Sequence, residues 1–274
     1  MKLQDKLIQL RNEKKAILAA NFYNFETLSG ILQAASNHKL PVILQLSESS
    51  IRYMGLPIAS AMAKAAIREY GVEAWLHLDH GCSAEMAQSC LDAGFDSVMI
   101  DASEKSFEEN IKLTSRVVEI ATRYNASVEA ELGFVAKLGQ KQHKHQFTQP
   151  EDAARFVEST HVSALAIAIG SAHGFYKHAP KLDIELLSRI NNTIATPLVL
   201  HGSSGIPDDM LREAIANGIC KINLATETKN TFMLALKERL KFNNEIDLRI
   251  VFPDATQAVV DLIEKKLEII HKSR

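Results

Sequence analysis

Nine polar residues stand at the ends of short apolar runs along the chain: Asn21, Ser47, Asp79, His80, Asp101, Glu131, His173, His201 and Asn223. A polar group closing an apolar segment carries a desolvation cost, so each needs a partner. Three imidazoles with several carboxylates are the material of a metal site. Neutral imidazoles suit zinc, and three protein ligands leave a position open for substrate. One histidine in such a place is more often structural, but three at the ends of separate runs weigh toward ligation. Of the other seven, His77 lies inside an apolar run and reads as a packed core residue, while His38, His161, His178 and His271 fall in connections or the tail. His143 and His145 belong to a charged loop. Two further strings suit phosphate. His201-Gly202-Ser203-Ser204-Gly205 has the small residues that let backbone N–H groups form an anion nest, and Asn223-Leu224-Ala225-Thr226 leads into a helix. Taken singly, a Gly/Ser turn and a Thr cap explain each; their joint placement favours phosphate.

The runs that would position these residues are 16–21, 41–47, 74–79, 97–101, 127–131, 164–170, 197–201 and 220–223. Each is too short for a helix and rich in the residues of buried parallel strands. Between them lie segments with helical spacing, among them 106–124, 151–160 and 182–191. Ser83 is placed to cap a helix with Glu85 in its first turn, and Asp208 and Asp209 follow Pro207 at another helix start. Eight strands alternating with helices predict an α/β fold, a (β/α)8 TIM barrel, with active-site residues at the C-terminal strand ends and phosphate often held after strands seven and eight. A doubly wound open sheet is the alternative. An extra C-terminal helix is expected at about 254–271, packed on the barrel or on a partner subunit. The length of 274 residues suits one barrel domain spanning 1–274. With 31 basic and 33 acidic residues, the net charge of −2 offers no electrostatic reason for nucleic acid. No apolar run is long enough for a membrane span, and the N-terminus lacks the apolar core of a secretion signal. Three scattered cysteines, Cys82, Cys90 and Cys220, fit a reducing cytoplasm.

Read together, Asn21-Phe22-Tyr23-Asn24, Leu76-His77-Leu78-Asp79-His80-Gly81, Met99-Ile100-Asp101-Ala102-Ser103, Val128-Glu129-Ala130-Glu131-Leu132-Gly133, AIAIGSAHG at 166–174, LHGSSG at 200–205 and KINLATE at 221–227 resemble the class II, zinc-dependent ketose-bisphosphate aldolases. The resemblance runs from about residue 15 to about residue 240, and the nearest branch looks like the tagatose/fructose-bisphosphate aldolases. It implies that His80, His173 and His201 hold a catalytic zinc, with Glu131 as an alternate or outer ligand. It implies that Asp79 exchanges the C4 hydroxyl proton, and that Gly174, Gly202, Ser203, Asn223 and Thr226 bind the phosphate of dihydroxyacetone phosphate. Lys177 matches a lysine found in part of the family, and Asn21 and Ser47 are expected to bond substrate oxygens. The resemblance also implies a sugar-phosphate substrate, a homodimer or homotetramer, and use of a monovalent cation, Na+ or K+. The chemistry is coherent: zinc acts as the Lewis acid for the carbanion left by C3–C4 cleavage, and a carboxylate takes the hydroxyl proton. A Schiff base would need a desolvated lysine at the mouth. Lys221, two residues below Asn223 on the same face, is read as structural.

Two departures bear on substrate and rate. Gly139 falls where the family carries a loop glutamate, and no acidic residue occurs between Glu131 and Glu151. His143 or His145 could take over that proton, or the loop, with Lys141 and Lys144, is a basic lid without chemistry. Asp261 falls where bisphosphate-cleaving relatives carry a basic residue on the final helix, and a carboxylate there would repel a distal phosphate. The leading expectation is a zinc aldolase for a ketose 1-phosphate or 1,6-bisphosphate. The alternatives are an aldolase for a non-bisphosphate or modified ketose 1-phosphate, a metal-dependent barrel hydrolase, and a non-catalytic sugar-phosphate-binding homologue.

Overall fold

A computed structural model describes residues 1–135, 147–176, 180–241 and 244–271. In chain order its elements are α1 (Leu3–Asn12), β1 (Ile17–Asn21), α2 (Phe25–His38), β2 (Val42–Ser47), α3 (Glu48–Met54), α4 (Leu56–Tyr70), β3 (Ala74–Gly81), α5 (Ala84–Asp92), β4 (Ser97–Ile100), α6 (Phe107–Thr122), β5 (Ser127–Leu132), α7 (Pro150–Thr160), β6 (Ala164–Ile167), α8 (Ile184–Thr193), β7 (Leu198–Leu200), α9 (Asp208–Ala216), β8 (Ile219–Leu224), α10 (Thr226–Leu240) and α11 (Leu248–His271). The strands form a closed barrel in sequence order, with every neighbouring pair parallel. The expected (β/α)8 barrel with an additional C-terminal helix is therefore the fold.

The helices obey their local chemistry. Ser83 accepts the Met86 N–H at 3.1 Å, Asp183 accepts that of Leu186 at 2.9 Å, and Ser106 and Glu109 cap each other reciprocally. The eighth helix thus starts after Asp183 rather than at 182. The final helix begins six residues before the expected 254. Asp247 supplies its start by accepting the Arg249 N–H at 2.9 Å, and Pro253 is tolerated inside it. It lies along α2, with Val259 against Gly30 and Glu264 bonded to Asn37.

The barrel interior changes character along its axis. At the strand starts, Leu3, Leu7 and Leu10 of α1 pack on Ile17, Ile43, Trp75 and Ala164, closing that end with an apolar plug that the strand–helix alternation does not predict. Higher up, the inward positions become Gln45, His77, Glu129 and Lys221, and then Asn21, Asp79, Glu131, His201 and Asn223, all buried. The apolar layers between strands and helices form the main core. Among the described residues no helix is long and apolar enough to cross a membrane.

Candidate active site

Three histidines and one carboxylate converge at the C-terminal end of the barrel. Ligand atoms of His80, Glu131, His173 and His201 all lie within 4.8 Å of one another. The backbone shows how two consecutive residues reach one site. In a regular strand Asp79 and His80 would face opposite sides. Here the β3–β4 register shifts between Leu78 and Gly81, and His80 takes φ +51°, which few residues other than glycine adopt. Gly81 is required beside it, because a Cβ there would lie 2.6 Å from the Met99 carbonyl oxygen. β6 and β7 stop at Ile167 and Leu200, short of the apolar runs, so His173 and His201 sit just beyond the ladder on segments free to turn inward.

The hydrogen bonds settle which ring nitrogens face the centre. His80 Nδ1 is 2.7 Å from Asp101 Oδ2, and His201 Nε2 is 2.8 Å from Glu129 Oε1. Those carboxylates place a proton on each outer nitrogen. The inner nitrogens, His80 Nε2 and His201 Nδ1, then face each other at 3.0 Å. A proton on His80 suits that separation: burial lowers its pKa, but the Asp79 charge and the Asp101 bond outweigh burial and push it up to about 10. So does a divalent cation shared by the two nitrogens. Glu131 agrees: it is buried, its Oε2 has no hydrogen-bond partner, and burial together with the nearby Asp101 charge pushes its carboxyl up to about 8. His173 completes the set, its ring centroid 4.9 Å from that of His80. Three imidazoles and a carboxylate fit a divalent ion of zinc's preferences. Each carboxylate behind an imidazole holds that ring's orientation.

Below this cluster runs a buried ion-pair layer. Lys221 Nζ lies 2.7 Å from Glu129 Oε2, and His77 donates or accepts with Ser97 Oγ at 2.7 Å while standing 3.9 Å from the same glutamate oxygen. Burial, then the Lys221 charge, pushes His77 down to about 3, so it stays neutral. The core reading of His77 and the structural reading of Lys221 agree with this geometry. Burial also raises Glu129, but Lys221 and the His201 bond outweigh it and hold the carboxyl low.

Asp79 has a different environment. Its carboxylate accepts from Asn21 Nδ2 at 2.8 Å, Gln45 Nε2 at 3.2 Å and Asn223 Nδ2 at 3.3 Å, and it stands 3.9 Å from His80 Nε2. It is thus beside the histidine–Glu131 cluster without belonging to it. Burial favours protonation, but the imidazoles of His80 and His201 and the Asn21 bond prevail, and Asp79 is held below the ordinary range. A cleft of about 620 Å³ opens past His80 and His173, lined also by Cys82, Asp101, Glu104 and Lys105.

The glycine-rich segment after β7 is pressed against the segment after β6. Gly202 has φ +66°, and a Cβ on it would lie 2.3 Å from the Ala172 carbonyl oxygen. Tyr176 staples the two: its hydroxyl accepts the Ala172 N–H and donates to the Gly202 carbonyl, each at 2.7 Å. Ser203 Oγ donates to the Asn223 carbonyl, tying this loop to β8. Gly174 is also left-handed, at φ +96°. Thr226 is the first residue of α10; the cap position is Ala225, which has no side-chain cap bond.

Of the residues singled out in the sequence, Asp79, His80, Glu131, His173, His201, Asn21 and Asn223 come together. Gly174, Gly202, Ser203 and Thr226 border them on the β6–β8 side. Ser47 caps α3, with its hydroxyl engaged by Ser49 and Ser50. Lys177, His143 and His145, with Gly139, Lys141 and Lys144, lie outside the described residues. Asp261 is exposed on the flank of the barrel, accepting from Gln257 at 2.8 Å, and does not line its own barrel mouth. Sequence reasoning gave no role to Glu129 or Gln45. The signal was present: each stands two residues from a selected position, Glu131 or Ser47, on the same strand face.

The sequence model of the family described as class-II fructose-bisphosphate aldolase matches residues 1–274. The fructose-bisphosphate aldolase of Geobacillus stearothermophilus is 40% identical over 269 aligned positions, covering 94% of this chain and 93% of its own. That of Helicobacter pylori strain J99 is 35% identical over 293 positions, covering 96% and 95%. Among solved structures, the YdjI aldolase of Escherichia coli K12 superposes with a TM-score of 0.89 at 33% identity, covering 99% of this chain and 97% of that one.

Proposed function

Because this chain belongs to the class-II fructose-bisphosphate aldolase family and is an aldolase, we propose that it reversibly cleaves a ketose 1-phosphate or 1,6-bisphosphate of the fructose or tagatose type, with zinc, to dihydroxyacetone phosphate and an aldehyde. The observation that carries this reading is the facing pair of His80 Nε2 and His201 Nδ1 at 3.0 Å, with both outer nitrogens already bonded to carboxylates. His80, His173 and His201 would hold the ion, with Glu131 as an alternate or outer ligand. When bound, zinc supplies Lewis-acid polarisation of the substrate carbonyl.

The remaining work falls to the chain's own groups. Asp79 Oδ1 or Oδ2 takes the proton of the C4 hydroxyl as the C3–C4 bond breaks and returns it in the reverse direction. Asn21, Gln45 and Asn223 orient that carboxylate by three donated hydrogen bonds. The Gly202–Ser203 turn, Gly174 and the start of α10 receive the 1-phosphate. Binding there, remote from the reacting carbons, orients the substrate over Asp79. The aldehyde end then extends toward the cleft past His80 and His173. We also propose a homodimer or homotetramer. Its support is the exposed apolar group Phe25, Met233, Leu234, Leu248 and Ile250 on α2, α10 and α11. A solution mass measurement is expected to show at least twice the 30.3 kDa chain mass; a monomer at working concentration refutes this.

The test of the activity is dihydroxyacetone phosphate release from matched ketose 1-phosphates and 1,6-bisphosphates, with and without a chelator. Release that the chelator abolishes and zinc restores is expected. Release indifferent to the chelator refutes the metal-dependent reading. No release from any substrate by zinc-loaded protein favours the non-catalytic homologue. A preference for monophosphates agrees with a distal end that lacks a phosphate; a preference for bisphosphates removes the argument from Asp261.

A further inference from the structure

A carboxylate stands behind the phosphate-receiving loop. Glu227 lies in the first turn of α10. Its Oε1 accepts the Gly205 N–H at 2.9 Å, and its own N–H donates to Ser204 Oγ at 3.2 Å. Two bonds therefore pin the far end of the Gly202–Gly205 turn to α10. A negative charge at this place is electrostatically awkward, because the loop and helix start are where a phosphate dianion is to be received. The structure answers it from a distance of some forty residues in sequence. Lys266 of α11 reaches Glu227 Oε2 at 2.9 Å, and the lysine is only 7% exposed. A lysine so buried needs a paired charge, and Glu227 is its ion-pair partner.

Resting on the reading of this loop as the phosphate site, we infer that Glu227 and Lys266 are a positioning pair. Glu227 fixes the Gly205 end of the loop, and Lys266, supplied by the C-terminal helix, cancels the charge that this carboxylate would otherwise set against the substrate phosphate. The extra helix is then part of the phosphate-binding apparatus without touching substrate.

The pair makes opposite predictions for its two members. In zinc-loaded full-length protein, Lys266→Met leaves an uncompensated carboxylate behind the loop. Its affinity for dihydroxyacetone phosphate, measured by calorimetry, is expected to fall on the order of tenfold. Affinity for unphosphorylated dihydroxyacetone and the zinc content are expected to hold. Glu227→Gln keeps an acceptor for Gly205 and leaves Lys266 positive, so phosphate affinity is expected to be maintained or to rise. The double variant Lys266→Met/Glu227→Gln is expected to return close to the wild-type value. A merely structural pair would lower the melting temperature and treat the phosphorylated and unphosphorylated ligands alike; equal loss for the two ligands overturns the inference. So does a phosphate-specific loss in Glu227→Gln. If Lys266→Met does not fold, the sign of the Glu227→Gln effect decides. Wild-type protein that discriminates nothing between the two ligands would instead defeat the phosphate reading of the loop itself.

Discussion

An Asp79→Ala enzyme is expected to cleave its ketose phosphate about 10²–10⁴-fold more slowly while retaining stoichiometric zinc. The size follows from losing the group proposed to accept the C4 hydroxyl proton, a step for which water in a buried site is a poor substitute. The metal should stay because the carboxylate is directed at Asn21, Gln45 and Asn223 and lies 3.9 Å from the His80 nitrogen that faces the cluster. Removing the acceptor leaves the Asn21 and Gln45 amides short of a partner, each costing about 1–3 kcal/mol if it finds no water, whereas Asn223 Nδ2 also lies 3.0 Å from His201 Nε2. A melting curve must therefore accompany the kinetics. Asp79→Asn separates the two effects, since it preserves shape and removes only the proton acceptor. Turnover of Asp79→Asn within a fewfold of wild type would refute the assigned role, and loss of zinc in either variant would show that Asp79 belongs to the metal shell.

His173→Ala is expected to abolish stoichiometric zinc binding. Loss of a carboxylate behind a ligand typically costs 10–100-fold in metal affinity, and loss of a ligand itself should exceed about 100-fold. Among the three histidines this one makes the cleanest test. His201 is fully buried and anchors Glu129, and His80 holds a left-handed backbone bend and Asp101, so replacing either disturbs more than a donor. His173 is partly exposed at the cleft. Metal content after dialysis measures the effect directly. The zinc-dependent rise in melting temperature measures it a second way, since an ion that binds only the folded chain stabilises it by mass action. Full zinc occupancy in His173→Ala would sink the three-histidine assignment.

How much of this was legible beforehand varies from residue to residue. The barrel was legible, because strand-length apolar runs alternating with amphipathic segments admit few closed arrangements. Plug helix α1 carries Leu3, Leu7 and Leu10 at helical spacing, but only the open lower end of a closed barrel explains what they cover. The early start of α11 was hidden by Pro253, which marks a helix beginning in isolation. The cap that moves the start to Leu248 comes from Asp247 bonding to Arg249.

The active site divides along the same line. Residue chemistry and strand position together determine that His80, His173, His201, Glu131 and Asp79 reach one mouth, since a parallel barrel puts all its strand ends on one rim. Period-two alternation likewise determines that Glu129 lies beneath Glu131 and Lys221 beneath Asn223. Which atoms meet is decided only by tertiary structure. The register shift in β3 turns two consecutive residues inward; barrel closure brings Glu129 of β5 to Lys221 of β8 and to His201 after β7. The approach of α11 to α10 pairs Lys266 with Glu227 and leaves Asp261 on the flank. The physical reason is range. Strand and helix patterns follow from bonds between near neighbours in sequence, whereas tautomers, ion pairs and metal geometry depend on ångström separations between segments that only the folded packing defines.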